Sequence, residues 1–250
     1  MRLVREHVAD GKVLGLIEKF LKMGVMEEGV ITDTSTGSPQ GGIISPLLAN
    51  IYLNPLDWLL SGLGLHAVRY ADDIVVLAED AASAQAALDQ IGAWMVGAGL
   101  QLHPKKTRLV DMTEAGNYFD FLGYRFKRGK TGKLLKVVRP KSLQKLRAGL
   151  RKPTKRANGK CMEAIIAEIN PVLRGWYEYF KHAYPNTHTS VDGWVRMRLR
   201  SVLRKRQGKK GRGRGSDHHR WPNRYFENLG LFSLKQAWEE TMSLRRGANR

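Results

Sequence analysis

The chain has 250 residues, enough for one large domain or two small ones with real cores, and a formal net charge of +19 with a sequence pI near 10.2. The charge is unevenly split, with 10 Lys and Arg against 15 Asp and Glu in residues 1–125 and 32 against 8 in residues 126–250, so a polyanion-binding half follows a half with another task. The single cysteine, Cys161, excludes an internal disulfide and a multi-cysteine zinc site; no apolar run approaches the roughly 20 residues of a membrane span, and no segment is basic on one face and apolar on the other as lipid binding requires.

Met1-Arg2-Leu3-Val4-Arg5 leads into charged sequence, not a signal-peptide core. The expectation is a soluble cytoplasmic protein, bacterial-type or organellar, with no membrane partner. Residues 12–23 then place Val13, Leu16, Ile17, Phe20 and Leu21 at helical spacing, with Gly24 as the stop. A turn-rich stretch follows and ends in the Gly-rich loop Gly37 to Gly42. Ser45-Pro46, a hydroxyl cap followed by proline, predicts a helix start. Its expected buried stripe is Leu47, Leu48, Ile51, Tyr52 and Leu56, with a kink or early end at Pro55.

His66 to Glu79 has two apolar, β-branched runs separated by Tyr70-Ala71-Asp72-Asp73, the pattern of a hairpin with two carboxylates at its tip. Adjacent carboxylates repel, and a rigid pair is favourable mainly when a cation neutralises it. Mg²⁺, a hard ion that takes oxygen ligands and brings its own water or phosphate, fits. Taken alone, the same Asp pair also fits a solvated turn.

Asp80 caps a helix expected from Ala81 to about Ala98, with Ala84, Leu88, Ile91, Trp94 and Met95 inward. Leu100 to Met112 reads as a strand with a polar loop at His103-Pro104-Lys105-Lys106, and Tyr118 to Lys127 pairs with Lys133 to Val138. After Pro140 the periodicity becomes helical, over 142–150, 163–169, 171–182 and 191–207, with a break and restart at Asn170-Pro171. Gln207 to Gly215 reads as a flexible basic linker, and Trp221 to Trp238 as a second aromatic cluster. The fold class is therefore α+β, an antiparallel sheet with helices on one face followed by a basic α-helical bundle.

Trp176, Tyr177, Tyr179 and Phe180 have the helical spacing of core residues, which leaves base stacking as the alternative. Arg196, Arg198, Arg200, Arg204 and Arg206 form either a phosphate-contacting face or a solvated one. His218-His219 has no partnering cysteine or carboxylate cluster for a metal site.

Four segments in order, SPQGGIISPLLANIYLNPLD, RYADDIVVLAE, GLQLHPKKT and FDFLGYRFKR, resemble consecutive blocks of group II intron reverse transcriptases, and RGWYEYFKHA resembles their maturase or thumb domain. The resemblance implies a partial polymerase palm over 1–139, a maturase/thumb helical domain over 140–206, the linker at 207–216 and a C-terminal extension over 217–250. It implies two-Mg²⁺ nucleotidyl transfer, with Asp72 and Asp73 as metal ligands, Lys106 at the triphosphate, and Gln40, Gly41, Tyr70 and Ala71 on the substrate side. Phe121, Gly123, Tyr124, Arg174, Arg196, Arg198 and Arg204 are the implied primer and RNA contacts. The implied partners are group II intron RNA, template RNA, primer DNA and deoxynucleoside triphosphates, with a homodimer as an option.

Ser38 stands where the family usually has Thr, and His103 and Lys105 replace Asn and Glu. An earlier family block, a strand followed by a third metal-binding Asp, has no counterpart here, so an isolated chain of weak or no polymerase activity is expected. The alternative reading is a non-catalytic RNA-binding splicing cofactor, and a third is an inert decayed reading frame.

Overall fold

The structure, a computed structural model, describes residues 1–22, 25–27, 30–32 and 43–248. They fall into two compact units, Met1–Leu109 and Val110–Arg250. The predicted stop at Gly24 and the whole Gly-rich loop Gly37 to Gly42, with Gln40 and Gly41, lie outside the described residues.

The first unit opens with helices α1 (Arg2–Arg5) and α2 (Gly11–Lys22), a short antiparallel hairpin of β1 (Val25–Glu27) and β2 (Val30–Thr32), and α3 (Ser45–Gly62). A second hairpin, β3 (His66–Tyr70) and β4 (Asp73–Leu77), leads into α4 (Ala81–Gly97). Asp10 Oδ1 accepts the Lys12 and Val13 N–H groups at the start of α2. Asp80 does the same for Ser83 N–H at 2.7 Å, the cap expected from sequence.

Pro55 does not end α3, which runs on to Gly62. An internal proline costs about 3 kcal/mol. Beyond it lie Leu56 and Leu60, both essentially fully buried, and each such side chain recovers about 1.5–3 kcal/mol, so the burial decides. The core face is Leu53, Leu56 and Leu60, packed on Ile91 and Met95 of α4 and on Ile74 and Val76 of β4. Leu47 and Tyr52, expected inside, are exposed. The helix is apolar nearly all round, so its periodicity did not select the face that packs. In α2 only Ile17 of the expected stripe is buried.

Residues 100–112 form no strand. Leu100 and Leu102 pack on the α3/α4 core instead, and His103 O accepts the Lys106 and Thr107 N–H groups at 3.0 and 2.9 Å in a turn.

The second unit begins with a three-stranded antiparallel sheet, β5 (Tyr118–Phe121), β6 (Tyr124–Arg128) and β7 (Leu134–Val138). It continues through α5 (Pro140–Arg151), α6 (Met162–Phe180), α7 (Asn186–Arg206), α8 (Gly215–Arg220), α9 (Asn223–Asn228) and α10 (Leu234–Ala248). The expected break at Asn170-Pro171 is absent. Ile165, Ile166 and Ile169 before the proline and Leu173, Tyr177 and Phe180 after it are all buried along one helix, which carries it through. Asn170 serves elsewhere, donating to Gly230 O and accepting Phe232 N–H. Trp221, Phe226, Leu231 and Leu234 join the same core as α5, α6 and α7.

The stretch expected to be a flexible linker is tied to α7. Arg204 Nε donates to Lys210 O and Gly213 N–H to Ser201 Oγ, and a Cβ on Gly213 would stand 2.9 Å from Arg200 Cβ. Asp217, buried, accepts Arg214 N–H and the Arg204 guanidinium, which together hold its carboxyl below the usual range.

Candidate active site and nucleic-acid interface

In the β3–β4 register Tyr70 faces Asp73, which leaves Ala71-Asp72 as a two-residue turn. Ala71 has φ +53°, a left-handed conformation that costs a residue with a Cβ roughly 1–2 kcal/mol. Such a residue persists only where its surroundings fix it. Asp72 and Asp73 are both exposed, and Tyr70 beside them is 65 % exposed.

The turn's Ala71 carbonyl is bonded by Arg69, a residue not singled out from sequence. Its Nε and Nη2 donate to the two oxygens of Asp57 at 2.7 and 2.5 Å. Nη1 donates to Asn50 Oδ1 and to Ala71 O, both at 3.0 Å. Asn50 and Asp57 are seven residues apart on α3, hence on one face. The Asp57 hydrogen bond raises the Arg69 pKa above its ordinary value, so the guanidinium stays charged. A signal was available in the sequence. Arg69 is the sole Lys or Arg between Lys22 and Lys105, and Asp57 the sole Asp or Glu between Asp33 and Asp72; two lone opposite charges in apolar surroundings have reason to meet.

Two neighbouring carboxylates form an oxygen donor set suited to a hard divalent cation whose remaining positions are taken by water or phosphate. Among the described residues no group of three or more His, Cys, Asp or Glu side chains gathers at one place. The hairpin thus brings together Tyr70, Ala71, Asp72 and Asp73. Lys106 is exposed on the separate turn that starts at His103.

In the other unit, Phe121 and Tyr124 flank the turn Leu122-Gly123, with φ +49° and +76°. Its carbonyls are occupied: Tyr179 OH donates to Leu122 O, and Arg139 N–H and Ser142 Oγ donate to Gly123 O. Tyr124 is 7 % exposed, donates its hydroxyl to Tyr179 O and packs on Phe180. Burial, then the nearby Tyr179, pushes its pKa up to about 12. Its ring is an anchor between sheet and α6.

Arg198, Arg200, Arg204 and Arg206 of α7 are also engaged. Arg200, 2 % exposed, donates to Trp221 O and Asn223 Oδ1. Arg198 donates to Thr154 Oγ1, Thr154 O and Arg151 O, and Arg204 is bound to Asp217 and Lys210 O. Arg206 donates to Lys160 O. Arg196 is half-buried, and Arg174 is exposed with its guanidinium 4.5 Å from the Phe232 ring centre.

The uncommitted charge lies elsewhere, along α5 and the loop after it. Residues 139–160 contain nine Lys and Arg and no Asp or Glu. Lys141, Lys145, Arg151, Lys152 and Lys155 are exposed. Lys141, Lys145 and Lys152 share one helical face spanning about 16 Å.

Comparison with known proteins bears on both units. Residues 3–126 match the family model described as reverse transcriptase (RNA-dependent DNA polymerase), and residues 143–222 match the group II intron maturase-specific domain. The group II intron-encoded protein LtrA of Lactococcus lactis is 53 % identical over 55 residues, 22 % of this chain and 9 % of that protein. Protein YkfC of Escherichia coli is 43 % identical over 60 residues, 24 % of this chain and 16 % of that protein. An uncharacterized 91 kDa protein in the cob intron of Schizosaccharomyces pombe is 39 % identical over 61 residues, 24 % of this chain and 8 % of that protein. The matched stretches are small parts of these relatives. Among the described residues no helix is long and apolar enough to cross a membrane, and the reverse transcriptase domain implies a divalent-metal requirement. With both domain models matched in order along one chain, the protein belongs to the group II intron reverse transcriptase and maturase family.

Proposed function

We propose that the chain works in RNA-directed DNA synthesis and intron maturation, with Asp72 and Asp73 holding Mg²⁺. The observation that carries this reading is the Asp-Asp pair on a turn with Ala71 at φ +53°, its carbonyl accepting from Arg69. Bound Mg²⁺ would supply activation of a primer hydroxyl and neutralisation of triphosphate charge. Lys106 would lie at the triphosphate and stabilise the departing pyrophosphate. Gln40 and Gly41 would border the nascent base pair, with Tyr70 and Ala71 beside it. Template RNA, primer DNA and deoxynucleoside triphosphates are the substrates in this reading. Two carboxylates make a poor two-metal site, and misplacement of a reacting group by about 1 Å costs on the order of 100-fold in rate, so polymerisation by this chain alone is weak.

A second reading, an RNA-binding splicing cofactor of the intron RNA, is favoured by the exposed stripe Lys141, Lys145 and Lys152. Both place the protein in a cytoplasmic or organellar nucleoprotein, and sedimentation would report whether it acts as a homodimer. Assays of intron splicing and of primer extension with the Asp72→Ala, Asp73→Ala double variant separate them. The polymerase reading predicts loss of extension with splicing assistance retained. Extension that survives the double substitution overturns it, and splicing assistance alone, with no extension by the parent chain, leaves the cofactor.

A further inference from the structure

We infer that Arg69, Asp57 and Asn50 are positioning residues that set the metal-binding turn. The inference rests on the reading of Asp72 and Asp73 as metal ligands. A two-residue turn with φ +53° at an alanine needs an external restraint, and the one hydrogen bond described at the Ala71 carbonyl comes from Arg69 Nη1. That guanidinium is itself immobilised. Asp57 takes its Nε–Nη2 edge in a bidentate pair, and Asn50 shares Nη1 with Ala71. The Arg69 side chain is 11 % exposed and that of Asp57 38 %, so the guanidinium end of the fork is shielded while the carboxylate stays open to water. The chain of contact runs from rigid α3, through Arg69, to the backbone immediately before Asp72.

Geometry makes Arg the residue required. The planar fork bonds four acceptor atoms on three residues at once, whereas a lysine ammonium at this position keeps the ion pair with Asp57 and cannot span to Asn50 and Ala71 as well. Arg69→Lys therefore separates the two roles. A merely structural ion pair tolerates it, and a positioning fork does not.

The test uses the full 250-residue chain with Mn²⁺ as probe, reading paramagnetic broadening of the amide signals of residues 70–73 during titration. Amide hydrogen exchange of the same residues is read without metal. For Arg69→Lys and Asp57→Asn the expected result is Mn²⁺ affinity about tenfold or more weaker, the range seen when groups behind metal ligands are removed, with turn exchange faster and the melting temperature of Arg69→Lys close to that of the parent. Asp57→Glu, which keeps the carboxylate, recovers part of the loss. Unchanged exchange and unchanged Mn²⁺ affinity in Arg69→Lys overturn the inference. Should Arg69→Lys fold poorly, Asn50→Ala on the exposed face of α3 removes one arm of the fork alone and must still speed turn exchange; if it does not, the inference fails. Parent Mn²⁺ broadening that survives Asp72→Ala with Asp73→Ala would overturn the metal reading of the pair, and the exchange arm would still decide the fork.

Discussion

Gly123 sits at φ +76°, and a Cβ there would meet Ser142 Oγ at 3.2 Å and Phe180 Cζ at 3.3 Å. Gly123→Ala is expected to destabilise the chain by about 1–2 kcal/mol from the left-handed backbone, checked by denaturant titration. Buried His188 shows the same dependence of a residue on its surroundings. Neither ring nitrogen meets a protein hydrogen-bond partner, and burial pushes its pKa below 6.5 while Asp192, one turn on, partly opposes. The folded state therefore holds fewer protons at this site than the unfolded chain once pH falls below 6.5. Stability should be unaffected by His188 above that value and should fall as pH drops below it. Thermal melts from pH 7.5 to 5.5 are expected to show this decline, and His188→Leu to flatten it. At this scale the Asp pair was legible because local spacing alone reveals a turn. Of the Arg69 fork only the pairing with Asp57 left a signal, the two lone opposite charges; the arms to Asn50, 19 positions away, and to the Ala71 carbonyl come from the fold.

The start of α4 was readable because its cap is local, whereas at α3 Ser45, the expected cap, is already the first helical residue and Ile44 caps it without a side-chain hydrogen bond. Asp80 lies three residues before the N–H it accepts. The start of α10 was not readable, because its cap comes from another helix: Asp192 of α7 accepts the Leu234 and Lys235 N–H groups and the Ser233 hydroxyl, each at 3.0 Å. Asp192→Ala leaves those donors without their carboxylate and is expected to cost about 2–3 kcal/mol, with Asp192→Asn costing less. Hydrogen exchange along α10 would locate the loss there. The failed strand at 100–112 and the failed break at Pro171 share one cause. Turn and breaker signals are local, while Leu100, Leu102 and the α6 stripe respond to cores assembled from distant segments.

Across the whole molecule, the composition pointed correctly to a strongly basic second half, and it did not say which charges are available. Arg198, Arg200 and Arg204 of α7, chosen from sequence, bind backbone carbonyls and Asp217, whereas the α5 lysines have no carboxylate near them in sequence to consume their charge. Replacing Lys141, Lys145 and Lys152 by Ala should therefore weaken binding to structured RNA and reduce the slope of log affinity against log salt by about 2–3, one per lost phosphate contact. Melting temperature should hardly change. Arg198→Ala and Arg204→Ala should lower stability first, measured as melting temperature, with little effect on the salt slope.

The most direct test is single-nucleotide incorporation on an RNA template with an annealed DNA primer, comparing the chain with and without Mg²⁺ and with its Asp72→Ala, Asp73→Ala variant. The expected result is slow, Mg²⁺-dependent extension that the double substitution abolishes. Extension of equal rate in parent and variant, or extension without divalent metal, would contradict the assignment of the hairpin tip as the polymerase metal site.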